Sequence, residues 1–322
     1  MRAPLCIIKG NRAIAPEKGY PMSNYVLIFL AVVLFAAQFA FTRLYEGAVK
    51  QSTAAALVLL VVTGLVGAFQ YLLIGGFQVE ISPVSLMWAV LMALTMLPYY
   101  VVGIQVLSLG SLAIYSMFMM LGGMLVPFFY GILFLDEAVS WGKITGTVLL
   151  TVFIVLQAAS QPAAEKKAVG WKKYLFFALC MVIFFINGMT CVIAKAHQVS
   201  VGAADEVSFT VLSCGLTALL SALLLPLAFL KDRRKVTGEV KQMLHWKPLL
   251  MMVCVGAAGY TGNFLHLIAA GHVPASVQFP LVSGGVIILS ALVSAFGFRE
   301  KLSAREWLSV AGAFASTVLF AF

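Results

Sequence analysis

The sequence has little charge. Only 10% of its 322 residues are Asp, Glu, Lys or Arg, against 62% hydrophobic, and the mean hydropathy is +1.02. A soluble domain carries about 25% charged residues. No single water-soluble core takes up so much apolar surface, so the chain reads as an all-α integral membrane protein. Carboxylates are scarcest of all: all twelve acidic residues fall in loops, in the N-terminal tail or at helix ends. The five cysteines, Cys6, Cys180, Cys191, Cys214 and Cys254, are odd in number and scattered. That excludes a disulfide framework or a cysteine metal site. The first 21 residues are too polar to span a membrane and lack the apolar centre of a signal peptide. Residues 1–23 are therefore expected to be a disordered tail or an over-extended start, with Met22-Ser-Asn24 a natural beginning and Asn24 capping the first helix.

What is present is a series of apolar runs, at 24–42, 53–74, 85–107, 111–135, 142–159, 173–196, 206–230, 248–270, 273–298 and 304–322. About 20 apolar residues cross a bilayer as a helix, so ten transmembrane helices are expected. The runs at 142–159 and 304–322 are the shortest. Gly142-Lys-Ile-Thr-Gly146 in the first and Ser309 with Ala313 in the second are small-residue faces that permit close contact, so these two runs are expected to pack together. Ser111 is placed to cap the fourth run, and Ser303-Ala-Arg-Glu306 is a capping box opening the tenth. The net charge of +9 comes from Lys and Arg between the runs, where they act as topology signals and headgroup contacts. It is no argument for a nucleic-acid partner.

The chain divides at the polar linker 161–172, and its two sides look alike. MFMMLGGMLVPFFYGILFLDEAVS (117–140) aligns with FPLVSGGVIILSALVSAFGFREKLS (279–303), Gly122-Gly123 over Gly284-Gly285 and Glu137 over Glu300, with one inserted residue. LFAAQFAFTRLYE (34–46) aligns more loosely with FINGMTCVIAKAHQ (185–198), Arg43 over Lys195. Five runs per half is an odd number. The expectation is two inverted five-helix repeats, 24–160 and 173–322, as in many transporters.

These residues carry a resemblance. Ten spans in a five-plus-five repeat, with Glu137 and Glu300 closing runs 4 and 9, resemble the drug/metabolite transporter superfamily, in particular its EamA-like branch, over Asn24 to Phe322. The stretch 279–303 and TRLYEG (42–47) are also similar to helices of the small multidrug resistance proteins. Those exporters exchange protons for cationic drugs through a membrane-embedded glutamate. By the alignment that position falls on Phe35 and, in the second half, on Asn187, so the acid is missing. Many EamA-like proteins have a proline where Gly123 and Gly285 stand here. The resemblance implies a central cavity, a small-molecule substrate, no cofactor and cytoplasmic termini. Positive-inside logic instead puts both termini outside, because the loops after runs 1, 5, 7 and 9 hold most of the Lys and Arg.

Deep polar residues repeat at helical spacing. Phe35, Gln38 and Thr42 share the spacing of Asn187, Thr190 and Ala194, and Gly259, Asn263, His266 and Ala270 form one stripe. Ser116 precedes Gly123 by as much as Gln278 precedes Gly285. Polar groups facing lipid go unsatisfied, so these must face a cavity or a neighbouring helix. With Thr95 and Tyr99 of run 3, the candidates for binding substrate are Asn187, Thr190, Asn263, His266, Gln278, Gln38, Tyr99 and Ser116. Two readings of Asn187 and Asn263 stand side by side: pathway lining, or interhelical bonds of about 1 kcal/mol. His266, the one histidine placed deep in a run, is either a proton carrier or a neutral hydrogen-bonding partner.

No intramembrane acid, His/Asp cluster or nucleophile–base pair offers an active site, so the chain is not read as an enzyme. A mid-membrane charge costs ~2.5–3.5 kcal/mol and is retained only where used. Its absence points to a neutral or zwitterionic substrate. The expectation is a secondary transporter, an exporter of a small metabolite, multi-pass in the cell membrane as a monomer or homodimer. The alternative is a flippase for a lipid-linked sugar or similar amphiphile. Reporter tags after successive runs test the repeat: corresponding positions in the two halves should report opposite sides, and a shared orientation refutes the inversion.

Overall fold

The computed structural model describes residues 22–49, 52–109, 112–160, 171–231, 233–297 and 303–319, with no β-strand among them. The helices are α1 (Met22–Ala48), α2 (Thr53–Ile74), α3 (Pro83–Leu109), α4 (Leu112–Phe134), α5 (Trp141–Ser160) and α6 (Trp171–Val199). They continue with α7 (Glu206–Lys231), α8 (Arg233–Met243), α9 (Trp246–Ala270), α10 (Ala275–Leu292) and α11 (Ala304–Val318). A π-helical turn, Val293–Gly297, prolongs α10. Among the described residues, seven helices are long and apolar enough to cross a membrane: α1, α2, α3, α6, α7, α9 and α10 with its π turn. The described apolar stretches of α4, α5 and α11 are shorter, at Phe118–Phe134, Trp141–Leu156 and Trp307–Ser316.

Several sequence expectations need correcting at their edges. Asn24 lies inside α1 and is buried, so it does not cap that helix. Ser52 does cap its helix, its hydroxyl accepting from the Ala55 amide at 3.2 Å. Helix α6 begins at Trp171 and takes up the end of the expected linker. The tail, residues 161–170, Ser111 and Glu300 lie outside the described residues. Helix α8 was not expected at all. Its apolar residues Val236, Val240 and Met243 recur at helical spacing, and Val240 and Met243 pack on the α1–α2 corner beside Tyr45 and Val49. The Gln242 amide donates to the Ala48 carbonyl at 3.2 Å.

Helix α1 lies against α9 and α10, α6 lies against α3 and α4, α2 packs on α7, and α5 on α11. Small residues set how closely these pairs approach. A Cβ on Gly122 would stand 2.0 Å from the Phe184 carbonyl oxygen, and one on Gly188 would stand 2.4 Å from Val126 Cβ. Helices α4 and α6 thus meet backbone to backbone. The α5–α11 pairing expected from small residues is present, with Gly312 against the Phe153 ring and Ser309 and Ala313 fully buried.

One end of the bundle is tied by polar groups. Ser85 Oγ lies 2.9 Å from His197 Nε2 and accepts from the Ala204 amide at 2.7 Å. Trp88 Nε1 donates to Ser200 Oγ at 3.0 Å. Asp205 caps α7 through the Ser208 amide and hydroxyl, both at 2.8 Å. Partial burial pushes the Asp205 carboxyl up, but these bonds to its charged form outweigh that and hold it below its ordinary value.

The crossing of α4 and α6 makes a direct prediction. Gly122→Val meets backbone that cannot move aside, and overpacking costs ~1–3 kcal/mol. Thermal unfolding in detergent should show a clear drop in Tm or loss of monodisperse protein. Gly215→Ala, where nothing lies within 4 Å, should leave Tm unchanged or raise it, because Ala outranks Gly in a helix by ~1 kcal/mol.

Candidate functional site

The sequence-selected residues fall into two groups. The first surrounds His266 on α9. Its ring stands edge-on to Phe35 of α1 and Phe279 of α10, with centroids 6.2 and 5.2 Å away. Gln278 on α10 is fully buried and its Nε2 donates to the His266 carbonyl at 2.6 Å. One turn back on α9, Asn263 Nδ2 donates to Tyr71 Oη of α2 at 3.3 Å, and that hydroxyl donates to the Tyr260 carbonyl at 3.1 Å. Gln38 of α1 lies across Gly259, whose Cβ position would be 2.7 Å from the Gln38 amide. Three helices, α1, α9 and α10, therefore bring Gln38, Asn263, His266 and Gln278 into one neighbourhood.

The second group is centred on α4. Asn187 of α6 donates from Nδ2 to the Met119 carbonyl at 2.8 Å, passing over Gly123, whose Cβ position would be 2.6 Å from that nitrogen. Tyr99 of α3 donates from its hydroxyl to Met119 Sδ at 2.7 Å. Thr190 turns back on its own helix, its hydroxyl donating to the Asn187 carbonyl at 2.7 Å. Thr95 does the same to Leu91 at 2.6 Å. The Ser116 side chain lies outside the described residues.

Partners account for much of this polarity. Asn187, Thr190 and Tyr99 each have one, two of them across helix boundaries, as interhelical bonds do. The His266 group is different. His266 Nε2 and Gln278 Oε1 are buried without a hydrogen-bond partner. A buried group left so costs ~1–3 kcal/mol, so a solute that bonded to this pair would recover that cost twice at one place. The phenyl rings of Phe35 and Phe279 beside it provide an apolar wall.

Two charges near the ends of apolar runs are buried. Glu137, which closes run 4, reaches across the bundle to α10, accepting from the Ala275 amide at 2.7 Å and the Ser276 amide at 2.9 Å. Lys195, near the end of run 6, is a buried residue of α6 that donates to the carbonyls of Ala270 and Val273. His266 is also not alone in depth. His197 is more buried still, stacked on Phe209 with ring centroids 4.0 Å apart and bonded to Ser85. Ser85 is itself fully buried and already accepts from Ala204, so this Ser–His pair is a joint between helix ends rather than a nucleophile facing a substrate.

A groove of about 440 Å³ runs between α4 and α6. Its wall is apolar, including Leu125, Phe129, Leu133, Phe185 and Met189. It opens outward, since Phe129 and Leu133 are 54% and 68% exposed. None of the eight candidates lines it. Tyr71 and Met119, which organise the two polar groups, carried no signal in the sequence: each is one more apolar or aromatic residue in an apolar run. Among the described residues no three His, Cys, Asp or Glu side chains gather as metal ligands would.

No protein-family model and no curated protein matches this sequence. Among solved structures, one crystal structure superposes on 92% of this chain and 96% of its own, with a TM-score of 0.65 and 17% sequence identity. At that identity the likeness is one of fold alone.

Proposed function

We propose that the chain is a secondary transporter of a small neutral or zwitterionic metabolite in the cell membrane. On this reading it is an EamA-like member of the drug/metabolite transporter superfamily that works as an exporter by alternating access between two inverted five-helix repeats. The observation that carries this reading is an exchange of helices between the halves. Helix α1 of the first half packs on α10 of the second at Gly285, where a Cβ would be 2.8 Å from Val32. Helix α6 of the second half packs on α4 of the first at Gly122 through Phe184. The alignment that places Arg43 over Lys195 also places Val32 over Phe184, and Gly284-Gly285 lies over Gly122-Gly123. The two crossings therefore use corresponding residues to within one position. Pairs α2–α7, α4–α10 and α5–α11 each join corresponding helices, as a two-fold relation requires.

Such a relation suits alternating access, in which one repeat rocks against the other about a site near the midplane. The Phe35–His266–Gln278–Phe279 neighbourhood supports a substrate site because it draws on both halves and holds two unpartnered polar atoms. Its lack of any carboxylate suits an uncharged or zwitterionic solute. The flippase reading draws on the open groove between α4 and α6. That groove is apolar along its length, so it suits a lipid tail but offers nothing for a sugar headgroup.

Purified protein in liposomes, screened against a metabolite library with and without a pH gradient, tests the proposal. Flux of at least one small solute is expected. His266→Ala and Gln278→Ala should each cut it about tenfold or more, the scale of ~1.4 kcal/mol at the site, while the protein stays monodisperse. Asn187→Ala should show a lower Tm instead, because its bond holds α6 to α4. Uptake of a quaternary cation driven by a pH gradient would refute the uncharged-substrate reading, and normal flux in both His266→Ala and Gln278→Ala would refute the site.

A further inference from the structure

The turn between α9 and α10, residues 271–274, is held from two sides by buried charges that belong to other elements. Lys195 on α6 donates to the Ala270 carbonyl at the end of α9 and, at 3.5 Å, to Val273. Glu137, from the segment joining α4 to α5, binds the first two amides of α10 with both carboxylate oxygens. Each charge has the sign its helix end requires: an anion meets the positive N-terminal end and a cation the negative C-terminal end. The α4 segment is shaped to deliver the carboxylate. Asp136 has φ of +52°, a left-handed conformation that Asp tolerates better than most residues, and this turns the Glu137 amide back to the Gly131 carbonyl at 3.1 Å. Gly131 has no side chain to obstruct it, and a Cβ there would stand 2.7 Å from the Glu137 carboxyl carbon.

A static scaffold has cheaper ways to cap a helix than to bury a carboxylate and an ammonium. Replacing buried charges by apolar groups is often neutral or stabilising. What the charges add is a contact that is strong when made and that water satisfies when broken. Both meet at the joint between the two halves, at the end of the bundle where Ala269 and Val273 are packed against Ile28 and Val32 of α1. A path to the His266 group from this end must pass that packing, because Gln278 lies one helical turn beyond the clasped amides.

From this geometry we infer that Glu137 and Lys195 form a gate: with the clasp made, this end of the bundle is closed, and its release swings the α9–α10 turn away from α1 and opens the end to water. The inference rests on the transporter reading for its use. Alternating access calls for a second closure at the opposite end, and the sequence places Arg43 and Glu300 at the matching positions of the other repeat. Glu300 lies outside the described residues, so the argument stands on the first clasp.

The test is the rate at which a membrane-impermeant maleimide labels a cysteine at Val273 in detergent-solubilised protein. The background is the full chain with its native cysteines replaced. Val273 is buried, so Val273→Cys should label slowly. Glu137→Gln, which keeps the shape but loses the charge, should raise the rate by about tenfold or more, since hydrogen bonds to a charged group are stronger than those to a neutral one. Gly131→Ala, which displaces the carboxylate sterically, should do the same without touching either charge. Unchanged labelling in both monodisperse variants overturns the gate. So does failure of both to yield monodisperse protein, because the clasp would then be a fixed staple of the fold. If labelling rises as expected while the unsubstituted protein moves no solute in liposomes, the opening motion stands and the transport reading alone fails.

Discussion

Where α4 crosses α6, two backbones touch with no side chain between them, Gly122 against the Phe184 carbonyl and Gly188 against Val126. In lipid there is no hydrophobic force to drive one apolar helix onto another, so association depends on packing and on hydrogen bonds between helices. Close approach provides the first and makes the second reachable. Asn187 bonds to the Met119 carbonyl only because Gly123 leaves its side chain room to lie along the α4 backbone. The same constraint governs α1 and α9, where Gly259 admits Gln38 and Gly262 stands against the Ala31 carbonyl. Glycine thus decides which polar residues are satisfied by a neighbouring helix and which are left for something else.

Polar satisfaction is uneven as a result. Hydroxyls on the helices mostly return to their own backbone, as Thr63, Thr145, Thr151, Thr217 and Ser316 do. Amide side chains reach across, and the two buried charges reach furthest. The unpartnered His266 Nε2 and Gln278 Oε1 belong to a wider set of buried polar atoms without partners, and these two are adjacent, linked through the His266 carbonyl. Their position beside residues from α1 and α10 puts them where any movement between those helices would change what they touch.

Much of the architecture was legible in the sequence because lipid makes strong demands on composition. Runs of about 20 apolar residues announce helices, the paired glycines mark the close crossings, and small residues in the shorter runs foretold that α5 and α11 pack together. Helix α8 was missed because its apolar face is only three residues and its surroundings are charged, so hydropathy averages it away. The candidate site was half legible. Spacing picked out Asn263, His266 and Gln278 on two helices, but it could not say that Asn187 is spent on Met119, since a carbonyl acceptor leaves no trace in a side-chain pattern. Tyr71 escaped for the same reason: a buried phenol whose partners on α9 are far along the chain looks like any interfacial aromatic.

Glu137 and Lys195 show most clearly what a sequence withholds. Both stand near the ends of apolar runs, where hydropathy expects charges to face water. Their burial follows from a third element. The ends of α9 and α10 come together at one short turn, so an unsatisfied set of carbonyls and an unsatisfied set of amides lie side by side. One charge would serve one helix end and repel the other. Two charges of opposite sign, arriving from α6 and from the α4–α5 connection, satisfy both ends while their own fields partly cancel. Each charge supports the other: without Lys195 the carboxylate loses a nearby counter-charge, and without Glu137 the ammonium is left with carbonyls only. The clasp is therefore a property of the pair and of the turn between them, and it ties the first half of the chain to the second at a point that local sequence does not specify.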